Sequence, residues 1–246
     1  MQKHYFIFII IFSILTGCTG YVVENDAVYY RDWNEARGSG KRLLKGLDPK
    51  TFEVLENDDY GKDLNFVYYN GNPIAAADPK TFKLVAGLYA VDKIKAYYAG
   101  DSIEASSSND FKIIDSYYSS DYKDIYYTTK PLHVCKIKSF KIFPNESNQW
   151  DYQRWTTDGC FYYFMNFKIP SEDYKNIFLF KGSAGIAKDK KWVYMMDRKI
   201  NFDIEGNKIL DTVDVATFTV TNYLDCRDKF GCINVYHGRE DCNKSN

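Results

Sequence analysis

Long apolar runs, histidine and an excess of charge of either sign are what this 246-residue chain has least of, and each shortage removes a class of function. The longest apolar stretch, Tyr5 to Leu15, is broken by Ser13 and ends before Thr19 and Gly20. It is too short for a transmembrane helix, which needs about 20 apolar residues. Basic and acidic residues number 32 and 33. The longest basic stretch, Lys188 to Lys191, contains Asp189, so no clustered cationic surface for nucleic acid is expected. Only three histidines occur, and neither His133 nor His237 has a Ser or Cys nucleophile in a recognisable frame. The six cysteines include no C-x₂-C pair with a nearby His, so no zinc site is expected.

What the chain does have begins at its N-terminus. Lys3 supplies a small cationic region, the apolar stretch follows, and Leu15-Thr16-Gly17-Cys18 closes it, which is the layout of a secretory signal peptide. Leu-Thr-Gly-Cys resembles the lipobox of bacterial lipoproteins. The resemblance implies cleavage before Cys18, a diacylglyceryl thioether on its sulfur and an acyl group on its new amino terminus. Several acyl chains at about 0.8 kcal/mol per buried CH₂ hold a protein on a membrane for its lifetime. Thr19, rather than Asp, follows Cys18, so the outer membrane is the preferred address. Residues 1–17 are thus read as signal, 18–27 as the lipidated end and a short tether, 28–236 as the folded body and 237–246 as a tail. Cleavage leaves 31 basic against 33 acidic residues.

The other signal is a repeat. Tyr60-Gly-Lys-Asp63, Tyr89-Ala-Val-Asp92 and Tyr118-Ser-Ser-Asp121 recur at a spacing of 29. Four residues after each Asp comes an apolar-Tyr-Tyr triplet, then an aliphatic (Ile74, Ile103, Leu132) and an aromatic (Phe82, Phe111, Phe140). The frame returns around Asp158 and Asp189 and ends in a fragment at Asp225-Cys-Arg-Asp228. Its first unit opens at Val28-Tyr29-Tyr30 and carries an insertion through Arg31 to Lys41. Atypical end units are expected in repeat arrays.

Tyr-Tyr beside β-branched residues suits a strand, and Asn70-Gly71 suits a type I′ hairpin turn. Alternation puts Val67 and Tyr69 on one face and Tyr68 on the other, so one Tyr column packs between units and the other lines the outside. Asp78-Pro-Lys-Thr reads as a turn whose carboxylate accepts backbone N–H bonds. The expected fold is all-β, a tandem array of antiparallel β-hairpin repeats of about 29 residues, open or curved. A small propeller is the alternative, since 29 residues is short for a four-stranded blade.

This frame resembles the bacterial DKNYY family, named for a run like Lys62-Asp63-Leu-Asn65-Phe-Val-Tyr68-Tyr69 followed by Asn70-Gly71 and Asp78-Pro79-Lys80-Thr81-Phe82. The resemblance covers residues 28 to 236 and is strongest over 48 to 103. It implies an exported repeat protein and brings no catalytic residues.

Each chemical motif has a plainer reading. The recurrent Asp residues lack the Gly and distal Glu of an EF-hand calcium loop and read as turn acceptors. Gly38-Ser-Gly-Lys41 has Glu35 and Arg42 where a P-loop needs Gly and Ser/Thr. Gly182-Ser-Ala-Gly185 lacks the spacing of a nucleophile elbow. No catalytic residue, metal ligand or cofactor is expected. The insertion, with Arg31, Trp33, Arg37, Lys41 and Arg42, is the local contact surface worth testing. With Cys18 acylated, five cysteines remain. Cys226 with Cys232 across a hairpin, and Cys135 with Cys160 in successive units, are candidate disulfides whose connectivity stays open. The expected function is non-catalytic binding or a structural role in the envelope, anchored to membrane lipid through Cys18, with a protein or glycan partner unnamed. The rivals are an immunity-type lipoprotein that neutralises a toxin, and carbohydrate binding by Tyr68-type side chains.

Overall fold

The computed structural model describes residues 19–36, 38–145 and 150–242. Cys18 and Arg37 lie outside the described residues. The chain falls into two compact units, Met1–Leu84 and Val85–Asn246.

In the first unit, β1 (Gly20–Glu24), β2 (Ala27–Asn34) and β3 (Gly38–Leu43) form a three-stranded antiparallel sheet in chain order. β4 (Glu53–Val54), β5 (Tyr60–Lys62), β6 (Val67–Tyr69) and β7 (Asn72–Pro73) form a four-stranded one. Five further four-stranded meanders follow, opening at Lys83–Ala86, Lys112–Ile113, Lys141–Ile142, Phe178–Leu179 and Thr219–Val220. Helix among the described residues is limited to two single 3₁₀ turns, Ile137–Ser139 and Tyr174–Asn176. The fold is therefore all-β and built of tandem antiparallel repeats. Four strands fit into 29 residues because the strands of a repeat are only two to four residues long.

Four successive four-stranded repeats are closed by their own aromatics, and in the next Ile186 and Met195 take the same places. The residue opening the second strand lies opposite the second Tyr of the triplet, as Tyr60 faces Tyr69. Ring centroids are 4.7 Å apart at Tyr60–Tyr69, 4.8 Å at Tyr89–Tyr98, 5.1 Å at Tyr118–Tyr127 and 5.0 Å at Trp155–Phe164. Offset and edge contacts of this kind add about 0.5–1.5 kcal/mol beyond area burial. One register step on, the first Tyr of the triplet faces a small residue. Gly61, Ala90, Ser119, Thr156 and Ala187 oppose Tyr68, Tyr97, Tyr126, Tyr163 and Tyr194. At Gly61 the space is taken by the Phe52 ring, which an added Cβ would approach to 2.5 Å.

Both Tyr columns therefore turn inward. Tyr68, Tyr97, Tyr126, Tyr163 and Tyr194 are all buried, against the expectation that one column lines the outside. Alternation does send the two rings to opposite faces, but each face is covered.

The turns follow the expected chemistry where the sequence is regular and depart from it where it is not. Asn70 and Gly71 both have positive φ, 49° and 69°, as a type I′ turn requires. In the fourth sheet, Thr128 takes the Asn70 position with φ 49° between the paired residues Tyr127 and Lys130. A β-branched residue is strained there. Thr128→Asn is expected to stabilise the protein by about 1 kcal/mol, read as a higher urea midpoint at unchanged slope. No increase would mean that this turn carries no strain.

Both chain-end assignments need correction. Residues 20–24 are not tether: they pair with Ala27 to Arg31 as a full strand. Tyr21 takes the place that Tyr60 holds in the next repeat, meeting the Tyr30 ring edge-to-face at 5.0 Å and the tilted Phe52 ring at 5.1 Å. Nor is the region after residue 236 a tail, since Gly238–Glu240 forms the last strand, paired to Cys232–Asn234.

Candidate functional site

The repeating Asp is the hub of every full repeat. It ends the second strand, and the chain must turn at once to bring the Tyr-Tyr strand back alongside, which leaves backbone N–H groups without strand partners. One carboxylate oxygen of Asp158 accepts Cys160 N at 2.8 Å and Phe161 N at 2.7 Å. The other accepts Cys135 N at 2.7 Å and the Tyr163 hydroxyl at 2.9 Å. Asp121 repeats the pattern with Lys123 N, Asp124 N, Ser107 N and the Tyr126 hydroxyl. In Asp189 the Ser171 hydroxyl replaces the backbone donor from the preceding connection, beside Lys191 N, Trp192 N and the Tyr194 hydroxyl. In the first unit, Asp63 binds Asn65 N, Phe66 N and Asp48 N.

The same geometry sets the titration behaviour. Burial works against ionisation of Asp158 and Asp189, but their hydrogen-bond donors outweigh it and hold both carboxyls below the usual range. The Tyr partners move the other way: burial and the adjacent Asp63 carboxylate push the Tyr68 phenol up to about 12. At Asp158 and Asp189 the hub is thus an ionised acceptor saturated by neutral donors, with no proton to move near pH 7. The second recurrent Asp also has a turn role. Asp78 accepts Lys80 N at 3.1 Å and the Thr81 hydroxyl at 3.0 Å, closing the Asp-Pro-Lys-Thr turn.

The last repeat shows how the hub is completed without a Tyr. Ile233 stands in the Tyr position opposite Cys226. Arg239 takes over, donating to both oxygens of Asp228 at 2.6 and 2.8 Å. Sequence reasoning missed this residue because it sits beyond the last recognisable marker.

Cysteine pairing separates the two candidate disulfides. Cys135 and Cys160 are joined, with Cα atoms 6.4 Å apart. Cys226 and Cys232 are not: Cys232 pairs with Cys242 and Cys226 remains a buried thiol. The strand register explains this. Arg227, not Cys226, lies opposite Cys232, so Cys226 points to the other face of the sheet. There it fills the small-residue column of Gly61 and Ala90. Two sulfurs and a carboxylate do converge within 4.8 Å at Cys135, Asp158 and Cys160. The sulfurs are bonded to each other and the carboxylate is saturated, so this is a bracing point and not a metal donor set. Burial pushes the Cys226 thiol up to about 12. A thiol reagent at pH 8 is expected to leave Cys226 unmodified in the folded protein and to label it on unfolding. Rapid labelling without denaturant would contradict its burial.

The N-terminal insertion folds as a two-stranded ribbon, the paired ends of β2 and β3. Arg31, Trp33 and Lys41 share one face, since Arg31 opposes Lys41 and Trp33 opposes Ser39. Trp33 is 56% exposed. Lys41 forms an ion pair with Glu24 and lies 4.2 Å above the Tyr29 ring. Arg42 points to the other face and is structural, bridging Gly71 O, Asn70 O and Asn72 Oδ1 at 3.2–3.3 Å. It does not belong to the candidate contact surface.

A second exposed feature lies in the turns led by the hub Asp. Within the second unit Ile94, Tyr122 and Phe230 protrude from these turns, each beside a Lys. Hydrogen bonds connect one turn's surroundings to the next. Asp124 accepts His133 N and Val134 N, and the following Cys135 N reaches Asp158.

No curated protein and no solved structure matches this chain. The model of the DKNYY family matches residues 21–166. That span, more than half of the chain, begins inside β1 and takes in the hub Asp and Tyr of four repeats, and the chain belongs to the DKNYY family.

Proposed function

We propose that this protein is an exported, lipid-anchored component of the bacterial cell envelope that acts by presenting a binding or structural surface, without catalysis. The observation that carries the reading is the saturation of the repeating polar groups. The hub carboxylates and their Tyr hydroxyls, the most regular chemistry in the chain, are engaged in holding turns and connections together. The two disulfides support export, since such bonds persist in oxidising compartments. No helix among the described residues is long and apolar enough to cross a membrane, so attachment is assigned to acylated Cys18. Sugar stacking by Tyr68-type rings loses its basis because these rings are buried.

The test compares wild type with Cys18→Ala in the native host. Globomycin-sensitive processing and membrane association are expected in wild type and lost in the variant. Identical processing and fractionation of the two would remove the anchor.

A further inference from the structure

The first sheet departs from the others at the end where the chain enters it. In the repeat frame β1 and β2 are the second and third strands, so among the described residues the sheet shows neither an opening strand nor a saturated hub. Glu24 stands where Asp63 stands in the next repeat, and it ion-pairs with Lys41 instead of capping a turn. The turn that follows it uses Asn25 and Asp26, both at positive φ. Tyr29, which corresponds to the buried Tyr68, is consequently part-exposed. The face that carries it, with Arg31, Trp33, Lys41 and Leu43, is the uncovered face of the sheet. Trp33 is 56% and Leu43 45% exposed.

This face also has a position. Gly20 is paired with Arg31, and β2 runs on through Asp32, Trp33 and Asn34, still paired with Gly38 to Gly40. At about 3.4 Å per residue the ribbon extends about 10 Å past Gly20. It extends toward the end from which the chain enters β1. Cys18 is two residues from Gly20, a reach of at most about 7 Å. A lipid on Cys18 would thus hold the ribbon at the bilayer surface with no tether between.

From this juxtaposition we infer that the exposed face of the β2–β3 ribbon, centred on Trp33 and Arg31, is a membrane-interface contact that seats the protein on the phospholipid surface beside its own acyl anchor. Trp and Tyr favour the headgroup level, where one side of the ring is apolar and the other wet. The Arg31 guanidinium suits a lipid phosphate through paired N–H donors. Leu43 and Tyr29 supply apolar area on the same face. The inference rests on acylation at Cys18, and failure of the ribbon contact is distinguishable from failure of the anchor.

The experiment uses full-length protein purified from host membranes and reconstituted into phosphatidylcholine/phosphatidylglycerol vesicles with brominated acyl chains, which quench nearby tryptophan. Mass spectrometry of the same sample reads the adduct on Cys18. Trp33→Phe, with unfolding unchanged, is expected to lower the quenched fraction of emission at least twofold, and Arg31→Ser to weaken quenching in the same direction. Adduct present with equal quenching in wild type and Trp33→Phe would overturn the ribbon contact and leave the anchor standing. Equal quenching together with a concentration-dependent dimer that Trp33→Phe abolishes would overturn it in favour of a second copy on this face. Absence of the adduct would overturn the anchor and this inference with it.

Discussion

Asp158→Ala is expected to lower the free energy of unfolding by about 3–5 kcal/mol, the largest effect of any single polar substitution considered in this chain. The substitution leaves Cys135 N, Cys160 N, Phe161 N and the Tyr163 hydroxyl without their acceptor inside a closed turn. Each buried donor left unpaired costs about 1–3 kcal/mol, less where water enters. Asp158→Asn keeps the shape and one acceptor oxygen, so about half of that loss is expected. Urea unfolding followed by tryptophan emission checks both, and a loss below about 1 kcal/mol for the Ala variant would show that the hub does not hold the repeat.

The pH dependence has a definite sign. Asp158, Asp189 and Asp228 titrate below the usual carboxyl range in the fold. Their contribution is therefore complete above the unfolded value of about 3.9 and is lost as pH falls through the folded values. Asp158→Ala should accordingly flatten the acid limb of the stability curve as well as lower its plateau.

Removing the Cys135–Cys160 disulfide by a double Ser substitution is expected to cost about 3.5 kcal/mol. The bond closes a loop with a sequence separation of 25, and the chain-entropy relation gives about that value for such a loop. Cys232–Cys242, with a separation of 10, should cost somewhat less by the same relation. Thermal unfolding of each double variant against wild type measures the difference. Combined with Asp158→Ala, the Cys135/Cys160 variant should be less than additive, because Cys135 N and Cys160 N are both donors to that carboxylate. Strict additivity would mean that disulfide and hub brace different parts of the repeat.

Much of this site was legible in one dimension because its interactions are local. The Asp reaches N–H groups two and three residues on and a Tyr hydroxyl five residues on, so its role as a turn acceptor follows from spacing. Asn70-Gly71 and Asp78-Pro-Lys-Thr are similarly self-contained, each closed within about four residues. What escaped depends on register. Whether Cys226 or Arg227 faces Cys232 changes with a shift of one residue, and composition does not set that shift. Arg239 reaches Asp228 across eleven residues, and Tyr21 was hidden because Glu24 replaces the marker Asp.

The repeat period, the β character of its strands and the acceptor role of its Asp residues were inherent in the order of amino acids, since each arises from contacts a few residues long. The inward packing of both Tyr columns, the pairing of Cys232 with Cys242 and the extension of the β2–β3 ribbon past the start of β1 depended on how strands and connections cover one another. Those outcomes depend on packing between segments distant in the chain, and a side chain's alternation assigns it a face without saying what lies against that face.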